Sequence, residues 1–594
     1  MPQTSMHNPE DQTQPAASTT VKALVALLLT VHAGLLAWSA TKHSPNLNEH
    51  AHLVAGISHW KFARFELYRV NPPLVRMVAA LPVLFSDAKY EWSGFYESPG
   101  ARPVFTLGPE FIHVNGARFI WYLTLARWAC IPFSLLGGYL CYRWAKDLYG
   151  SWAGVFSLTL WCFSPNIIAH GQCITPDCGA TVLGLAATYA FWKWLQSPHW
   201  MQMVIAGVVL GLAELTKSTW IILFGLWPLI WLVWFITRAT SPNTPWHRQA
   251  LQLGTILLLG VYLLNLGYGF EGSFTQLKAF QFVSETLTDV ERDKEERVIS
   301  ERQNRFQDSW IGALPVPLPS NYLLGIDVQK KDFEDFGRES YLRGEFRDKG
   351  WWYYYLYALT IKVPLGYWIL FGLTMVHACW LGSSVRTTWQ NGFVLAVPAL
   401  TVLILVSSQT GFNHHMRYVL PIFPFAFIWM GQSALWFIEK KKIAALVTSI
   451  SLTWALGCSI WIYPHSLAYF NELVRGPYNG HQHLLHSNID WGQDLLFLKQ
   501  WIRDHPEAKP FYMCYYSYFD PRDLGMDYLL PPVNEEQSTN FQPPPGWYAI
   551  SVNYMKGYGW RYPKNGFAYF QKYKPVDTAG YSIYIYRIPE SDLR

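Results

Sequence analysis

Long stretches of this chain carry no charge. None occurs from Thr387 to Met416, from Tyr418 to Ile438 or from Ile443 to Asn471, and Asp177 is the sole charged residue between Ser151 and Trp192. A helix that crosses a bilayer needs about 20 mainly apolar residues, because each residue rises about 1.5 Å and every backbone polar group must be paired within the helix. Eleven segments meet that requirement, near residues 22–40, 122–143, 151–169, 178–196, 201–216, 219–237, 249–268, 358–380, 391–408, 418–437 and 443–463, the fifth being short. The pattern predicts an all-α polytopic membrane domain.

Lysines and arginines in short loops orient such a bundle. One set of connections carries Lys22, Arg143, Lys146, Lys193, Arg238, Arg248, Arg386 and Lys440 to Lys442, whereas the opposite set carries only Lys217 and Arg417. That bias places the N-terminus in the cytoplasm and, with an odd number of spans, the C-terminus outside a multi-pass plasma (inner) membrane. Residues 1–21 form a polar segment with neither a basic n-region nor a cleavage site, expected to be disordered and cytoplasmic, so the first apolar segment is expected to stay as an anchor. The membrane domain then occupies 22–463, with large outer loops at 41–117 and 269–357, and residues 464–594 form a C-terminal extracytoplasmic domain. The charged run from Asp289 to Arg305 reads as a solvated helix. In the tail, Leu495 to Trp501 has an amphipathic helical pattern, while Trp547 to Val552 and Tyr581 to Ile588 alternate as strands, which predicts a small α/β domain.

Composition sharpens this picture. Only 15% of the 594 residues are charged and 51% are hydrophobic, where a soluble protein carries about 25% charged residues. Disorder, collagen and a soluble charged enzyme are excluded. The net charge of +5 comes without a dense basic patch, so nucleic acid is not an expected partner. The eight cysteines have no zinc spacing and read as buried small hydrophobes, with a Cys173–Cys178 bridge as the alternative for that pair. No GxGxxG, P-loop, GxSxG or HExxH is present.

The polar residues that stand out gather at the outer ends of spans. The first outer loop opens with Asn48-Glu49-His50-Ala51-His52 and continues through Asn71-Pro72-Pro73-Leu74 to Arg76, an arrangement that can set a base beside an anionic lipid headgroup. Asp177, in Thr175-Pro176-Asp177, is an isolated acid at the mouth of the fourth span, suited both to function and to helix capping. Lys217 and Arg417 are the short-loop cations on the side where positive charge is rare, and they suit a phosphate as point charge and bidentate fork. The H-x-H spacings beside carboxylates can ligate a divalent metal, but no cofactor is required by this reading. Tyr554, Tyr558, Trp547 and Trp491 read as core of a Tyr-rich sheet, as does Trp560.

The run from Asn48 to Gly56 followed by Pro72-Pro73-Leu74 resembles the first-loop motif of the GT-C superfamily. More narrowly it is similar to the lipid-carrier-dependent glycosyltransferases related to protein O-mannosyltransferases and the lipid A aminoarabinose transferase. Thr175-Pro176-Asp177, Leu215-Thr216-Lys217, Tyr341-Leu342-Arg343-Gly344, Lys362-Val363-Pro364-Leu365 and His415-Met416-Arg417-Tyr418 continue the resemblance in order. In the tail, Tyr469-Phe470-Asn471-Glu472 and the run from Ser487 to Leu495, with Asp490 and Asp494, look like a motif of the bacterial branch. The resemblance implies a sugar donor linked through phosphate to a polyprenyl chain, membrane lipids as surroundings, and an acceptor protein, lipid or cell-envelope glycan. One departure matters, because the family's leading Asp-Glu appears here as Asn48-Glu49. Glu49 is then the best remaining base, with Asp177 as a second acid near the donor phosphate or acting as base itself, and Arg76, Lys217 and Arg417 as phosphate ligands. Asn48, His52, Asp490 and Asp494 complete the candidate site.

A sugar already activated by phosphate needs cations to neutralise its leaving group more than it needs a general acid. One base that deprotonates the acceptor hydroxyl then suffices, and attack from the opposite face inverts C1. The rival readings are a lipid-linked sugar flippase or transporter and an inactive polyprenyl-phosphate-binding scaffold. No internal repeat and no mid-span acid supports transport.

Overall fold

Each of the eleven apolar segments is helical in the computed structural model, which describes residues 18–238, 244–292, 298–302, 304–334, 336–380, 388–538, 541–559 and 561–590. The polar segment 1–17, Arg386 and Trp560 lie outside the described residues. Helix α1 (Thr19–Lys42) starts where the Ser18 side chain accepts the Val21 N–H, the usual chemistry of a helix N-cap. From the first loop come α2 (Glu49–Phe62), α3 (Leu74–Leu84) and α4 (Val104–Asn115). The bundle continues with α5 (Phe119–Tyr149), α6 (Ser151–Cys162), α7 (Pro165–Gly171), α8 (Pro176–Gln196), α9 (Trp200–Glu214), α10 (Ile222–Thr237) and α11 (Trp246–Gly267). After the second loop with α12 (Ser320–Glu334) come α13 (Tyr354–Lys362), α14 (Leu365–Trp380), α15 (Trp389–Ser408), α16 (Phe423–Met430), α17 (Leu435–Ile438) and α18 (Lys442–Ile462).

Seven described helical runs are long and apolar enough to cross a membrane unaided, and two more spans are broken. The pair α6–α7 bends by 65° and the pair α13–α14 by 110°. Both breaks fall at a proline, Pro165 and Pro364, which has no N–H to continue the helical ladder. Helix α8 and the short α9 account for the remaining two predicted segments. Lipid supplies no hydrophobic force between helices, so close approach depends on small residues. Gly211 of α9 shows this, because a Cβ there would stand 2.5 Å from the Leu263 Cβ of α11.

The first loop folds against the bundle. Helix α2 is buried on all sides from Glu49 to His59. It ends at Ala63, whose left-handed φ of 51° closes the last turn onto the His59 carbonyl. Gly56 lets it meet α3, since a Cβ there would sit 2.1 Å from the Arg76 carbonyl oxygen. Pro72 and Pro73 hold the chain out of a helix until Leu74.

The second loop departs from expectation. Instead of a solvated helix across Asp289 to Arg305, β1 (Asp289–Arg292) and β2 (Val298–Arg302) pair antiparallel, with Asp289 opposite Arg302. Val290, Val298 and Ile299 are β-branched and favour a pleated strand over a helix. A second hairpin joins β3 (Ser340–Leu342) and β4 (Glu345–Arg347).

In the tail, α19 (Leu495–Asp504) precedes β5 (Phe511–Cys514), β6 (Gly546–Ser551), β7 (Asp577–Ala579) and β8 (Ile583–Ile588), in sheet order β5-β6-β8-β7. Strands β5 and β6 are parallel and the other pairs antiparallel. Alternation along β8 sends Ile583 and Ile585 into one cluster with Leu495 and Leu498 of α19, and Tyr584 and Tyr586 into another with Tyr548. Tyr554, Tyr558 and Trp491 are buried.

One tail segment ties this sheet to the bundle. The Leu47 N–H donates to the Trp491 carbonyl at 2.9 Å, and the Ser44 hydroxyl donates to the Gly492 carbonyl at 2.8 Å. The Met416 N–H donates to the Asn488 side-chain oxygen at 2.9 Å, while Lys362, beside the α13–α14 break, donates to the Asn488 carbonyl. Residues 487–495 therefore hold the first loop, the broken span and the segment before α16 in one register.

Asp490 of this segment accepts the Ser551 hydroxyl proton and the Gly492 N–H at 3.1 Å. Burial pushes its carboxyl up to about 7, against about 3.9 for an exposed aspartate. The folded protein thus holds this proton more tightly than the unfolded chain does. The resulting stabilisation is complete below the unfolded value, is lost as pH rises, and levels off above about 7. We predict that the melting temperature of wild type falls relative to Asp490→Asn between pH 5 and about 7.5; a constant difference across that range would remove Asp490 as the titrating group.

Candidate active site

The mouth of α8, the start of α2, the loop after α9 and the segment before α16 converge on a cavity of about 250 Å³. Asp177 is placed there by the Pro176 start of α8 and is 4% exposed. Its Oδ1 lies 3.0 Å from Lys217 Nζ and its Oδ2 lies 3.2 Å from Arg417 Nε. Lys217 also stands over the Tyr418 ring at 4.7 Å, and the Arg417 guanidinium stacks on Trp491 at 4.1 Å and donates to the Ser487 hydroxyl. Aromatic faces attract cations by ~0.5–2 kcal/mol. The two cations are thereby fixed on either side of one carboxylate.

Across the cavity Arg102 holds Asp332 through both carboxylate oxygens, at 2.7 and 2.6 Å. Arg338 lines it too. Among the described lining residues cations outnumber carboxylates, a set suited to an anion. Asn48, His52, His415 and His486 also line the wall.

Of the nine candidates read from sequence, Asp177, Lys217, Arg417, Asn48 and His52 meet in this cavity. Glu49 does not line it. Its carboxylate is fully buried and takes Arg127 Nε at 2.9 Å and Nη2 at 2.5 Å, with the Asn46 N–H at 2.9 Å. Successive helix residues point about 100° apart, so Asn48 faces the cavity and Glu49 faces α5. Arg76 is buried one layer back, its guanidinium 4.9 Å from the Tyr68 ring, and its Nε and Nη1 have no partner among the described residues. Asp490 and Asp494 lie at the junction of tail and bundle. Asp494 accepts from the Ser582 hydroxyl at 2.8 Å and sits 3.3 Å from His465 Nδ1.

Sequence reasoning missed Arg102, Asp332, Arg338 and Arg127. Arg127 carried a signal, as an isolated cation within an apolar span. Arg102, Asp332 and Arg338 sit in charged loops where nothing local distinguishes them. Cys173 and Cys178 are both free thiols, buried in the bundle.

Residues 123–262 match the family model for dolichyl-phosphate-mannose-protein mannosyltransferase. That stretch includes Asp177 and Lys217. No curated protein matches the chain. Among solved structures, ArnT from Cupriavidus metallidurans bound to undecaprenyl phosphate is similar at 13% identity and a TM-score of 0.43, over 96% of this chain and 98% of that one. The S. cerevisiae protein O-mannosyltransferase Pmt1–Pmt2 complex bound to its sugar donor is similar at 12% identity and a TM-score of 0.46, over 89% and 96%. The archaeal oligosaccharyltransferase AglB from Archaeoglobus fulgidus is similar at 11% identity and a TM-score of 0.43, over 97% and 75%. Fold and site define a multi-pass, mostly helical membrane protein with a small terminal sheet and a cationic cavity at the face that bears its large loops. Part of its span region carries the pattern of a lipid-carrier-dependent glycosyltransferase family.

The buried Glu49–Arg127 pair generates a prediction. Removing one partner of a buried ion pair leaves a charge without compensation and costs ~3–5 kcal/mol. Glu49→Gln and Arg127→Gln should each lower the melting temperature sharply, and the double variant should lose less than the sum of the two. Additive losses in the double-mutant cycle would show that the pair is not coupled.

Proposed function

We propose that this protein is a membrane glycosyltransferase that moves a sugar from a polyprenyl-phosphate donor to an acceptor hydroxyl, with inversion at C1. The observation that carries the reading is the Lys217–Asp177–Arg417 cluster, two cations fixed around one carboxylate in a cavity at a membrane face. The donor phosphate docks against these cations, and the charge that develops on it as the C1–O bond breaks is neutralised by them. Donors held in place beforehand need no reorganisation as that charge grows.

A place for the lipid chain supports the donor class. An apolar groove of about 480 Å³ runs between α13, α14, α15 and α16, lined by Leu359, Val363, Phe371, Leu395, Leu403 and Phe427. The segment Met416–Ile422 joins the two regions, with Arg417 and Tyr418 on the polar cavity and Ile422 on the groove. A phosphate at Arg417 thus sits beside an isoprenoid tail in the groove. The family matched over 123–262 takes its name from a sugar carried on such a lipid phosphate.

The bias of short-loop cations supports a cytoplasmic N-terminus and an extracytoplasmic cavity, so the acceptor is a protein, lipid or cell-envelope glycan beyond the plasma membrane. Residues 22–463 form the membrane body and 464–594 the outer domain that clamps it. Transfer proceeds without a metal, because the cations already present perform the neutralisation.

The test is release of undecaprenyl phosphate from a panel of undecaprenyl-phosphate sugars by the purified protein, with and without chelator. Turnover of one donor, indifferent to chelator, is expected; binding of undecaprenyl phosphate without turnover of any donor would favour the scaffold. Asp177→Asn should lower turnover by about a hundredfold through misplacement of the two cations. Arg417→Ala should weaken undecaprenyl phosphate binding by ~1.5–3 kcal/mol, the range for a hydrogen bond to a charged group. Unchanged binding would count against contact between Arg417 and phosphate.

A further inference from the structure

Transfer to a hydroxyl releases a proton, and the carboxylates at the cavity are already engaged. Asp177 divides its oxygens between Lys217 and Arg417, and Asp332 gives both of its oxygens to Arg102. Lys217 and Arg417 favour the ionised form of Asp177 and make it a weak proton acceptor; burial raises the Asp332 carboxyl, but both of its oxygens are taken by the Arg102 guanidinium. Glu49 is enclosed by Arg127 behind the wall, and Asn48 is an amide. Among the described residues, the remaining bases on the wall are the imidazoles of His52, His415 and His486.

Their hydrogen bonds assign the tautomers. His486 Nδ1 lies 2.7 Å from the Ser487 backbone nitrogen, which can only donate, so the ring hydrogen of His486 is on Nε2. His415 Nδ1 lies 2.8 Å from the Ser487 hydroxyl. That hydroxyl accepts from Arg417 and has its own hydrogen to give to Nδ1, the arrangement that protonates His415 on Nε2. Both rings are donors on their second nitrogen. His52 has no ring hydrogen bond among the described residues and packs on Tyr68 with ring centroids 4.8 Å apart. It lies one helical turn after Asn48 on the same face of α2.

Burial, and then the Arg76 guanidinium, hold the His52 imidazole well below its ordinary pKa, so the ring is neutral at rest, a weak base whose lone pair no cation among the described residues occupies. The other charged or titratable groups acting on it are Asp177, which favours the imidazolium, and Arg417 and His50, which oppose it.

We infer that His52 is the proton acceptor of the transfer, an inference that rests on the glycosyltransferase reading. The acceptor O–H bond breaks and its proton passes to the free ring nitrogen of His52. The oxygen electron pair forms the new bond to C1 as the C1–O(phosphate) bond breaks. Its electrons leave on the phosphate, whose charge changes from −1 to −2 while His52 becomes +1. The imidazolium then releases its proton to water. His415 and His486 contribute N–H donors.

The test uses the full-length protein in detergent, the donor that the panel selects, and undecaprenyl phosphate as binding probe. His52→Gln should retain undecaprenyl phosphate binding and lose turnover by ~10²–10⁴-fold, the usual contribution of a positioned base. Imidazole in the buffer should restore turnover to His52→Ala, and Asn48→Asp added to His52→Gln should recover part of it by returning a carboxylate to the wall. Undiminished turnover in His52→Gln overturns the inference while leaving the transferase reading in place. So does a loss that neither imidazole nor Asn48→Asp relieves. Silence of wild type with every donor removes the transferase reading and this inference with it.

Discussion

Arg127 is an arginine 2% exposed within a membrane bundle, and an unpaired charge there is a severe penalty. Its partners therefore decide the architecture around it. The guanidinium takes the Glu49 carboxylate and also donates to the carbonyls of Ala40, His43 and Ser44, at 3.1, 2.7 and 2.9 Å. Carbonyls at the end of α1, which have no intrahelical partner, are thus satisfied by α5. The Ile174 N–H, three residues before Asp177, completes the set by donating to Glu49 at 3.3 Å. The starts of α2 and α8, which carry Asn48, His52 and Asp177, are positioned by one buried charge pair.

The tail acts on the same region from outside. Its segment 487–495 supplies Ser487 to Arg417 and His415, Trp491 to the face of Arg417, and backbone carbonyls to Ser44 and Leu47. Arg417 is therefore oriented by residues far later in the chain. This explains why the tail motif is dense in polar residues yet buried: each polar group must find a partner away from water, and each partner found fixes a neighbour of the cavity.

How much of this was legible in the sequence depended on isolation. Asp177, Lys217 and Arg417 stood out because apolar residues or a rule of charge distribution surrounded them, and they come together. Arg127 stood in equal isolation, but its partner lies 78 residues earlier, beyond any local spacing. The Asn48-Glu49 pair was readable as a motif and ambiguous as geometry. Adjacent helix positions face different ways, and which one meets the cavity is set by α5, not by α2. Arg102 and Asp332 belong to loops where charge is the ordinary state, and only the docking of α4 and α12 turns them inward. The hairpin at β1 and β2 was missed because charge density suggested solvent, whereas β-branched residues govern a strand.

The electrostatics of the cavity explain why a carboxylate at its centre need not be the base. Asp177 between Lys217 and Arg417 lowers the cost of burying two like charges beside each other, and it holds them on either side of one carboxylate. Before donor binds, the carboxylate neutralises one cation. In the transfer proposed above, both cations can respond to growing phosphate charge without moving, which is where preorganised charge contributes most. A residue committed to that task gains nothing from taking up a proton, since protonation would release the cations it positions. In that proposed transfer the proton goes instead to a group that is neutral at rest and outside the ion-pair network, the His52 imidazole.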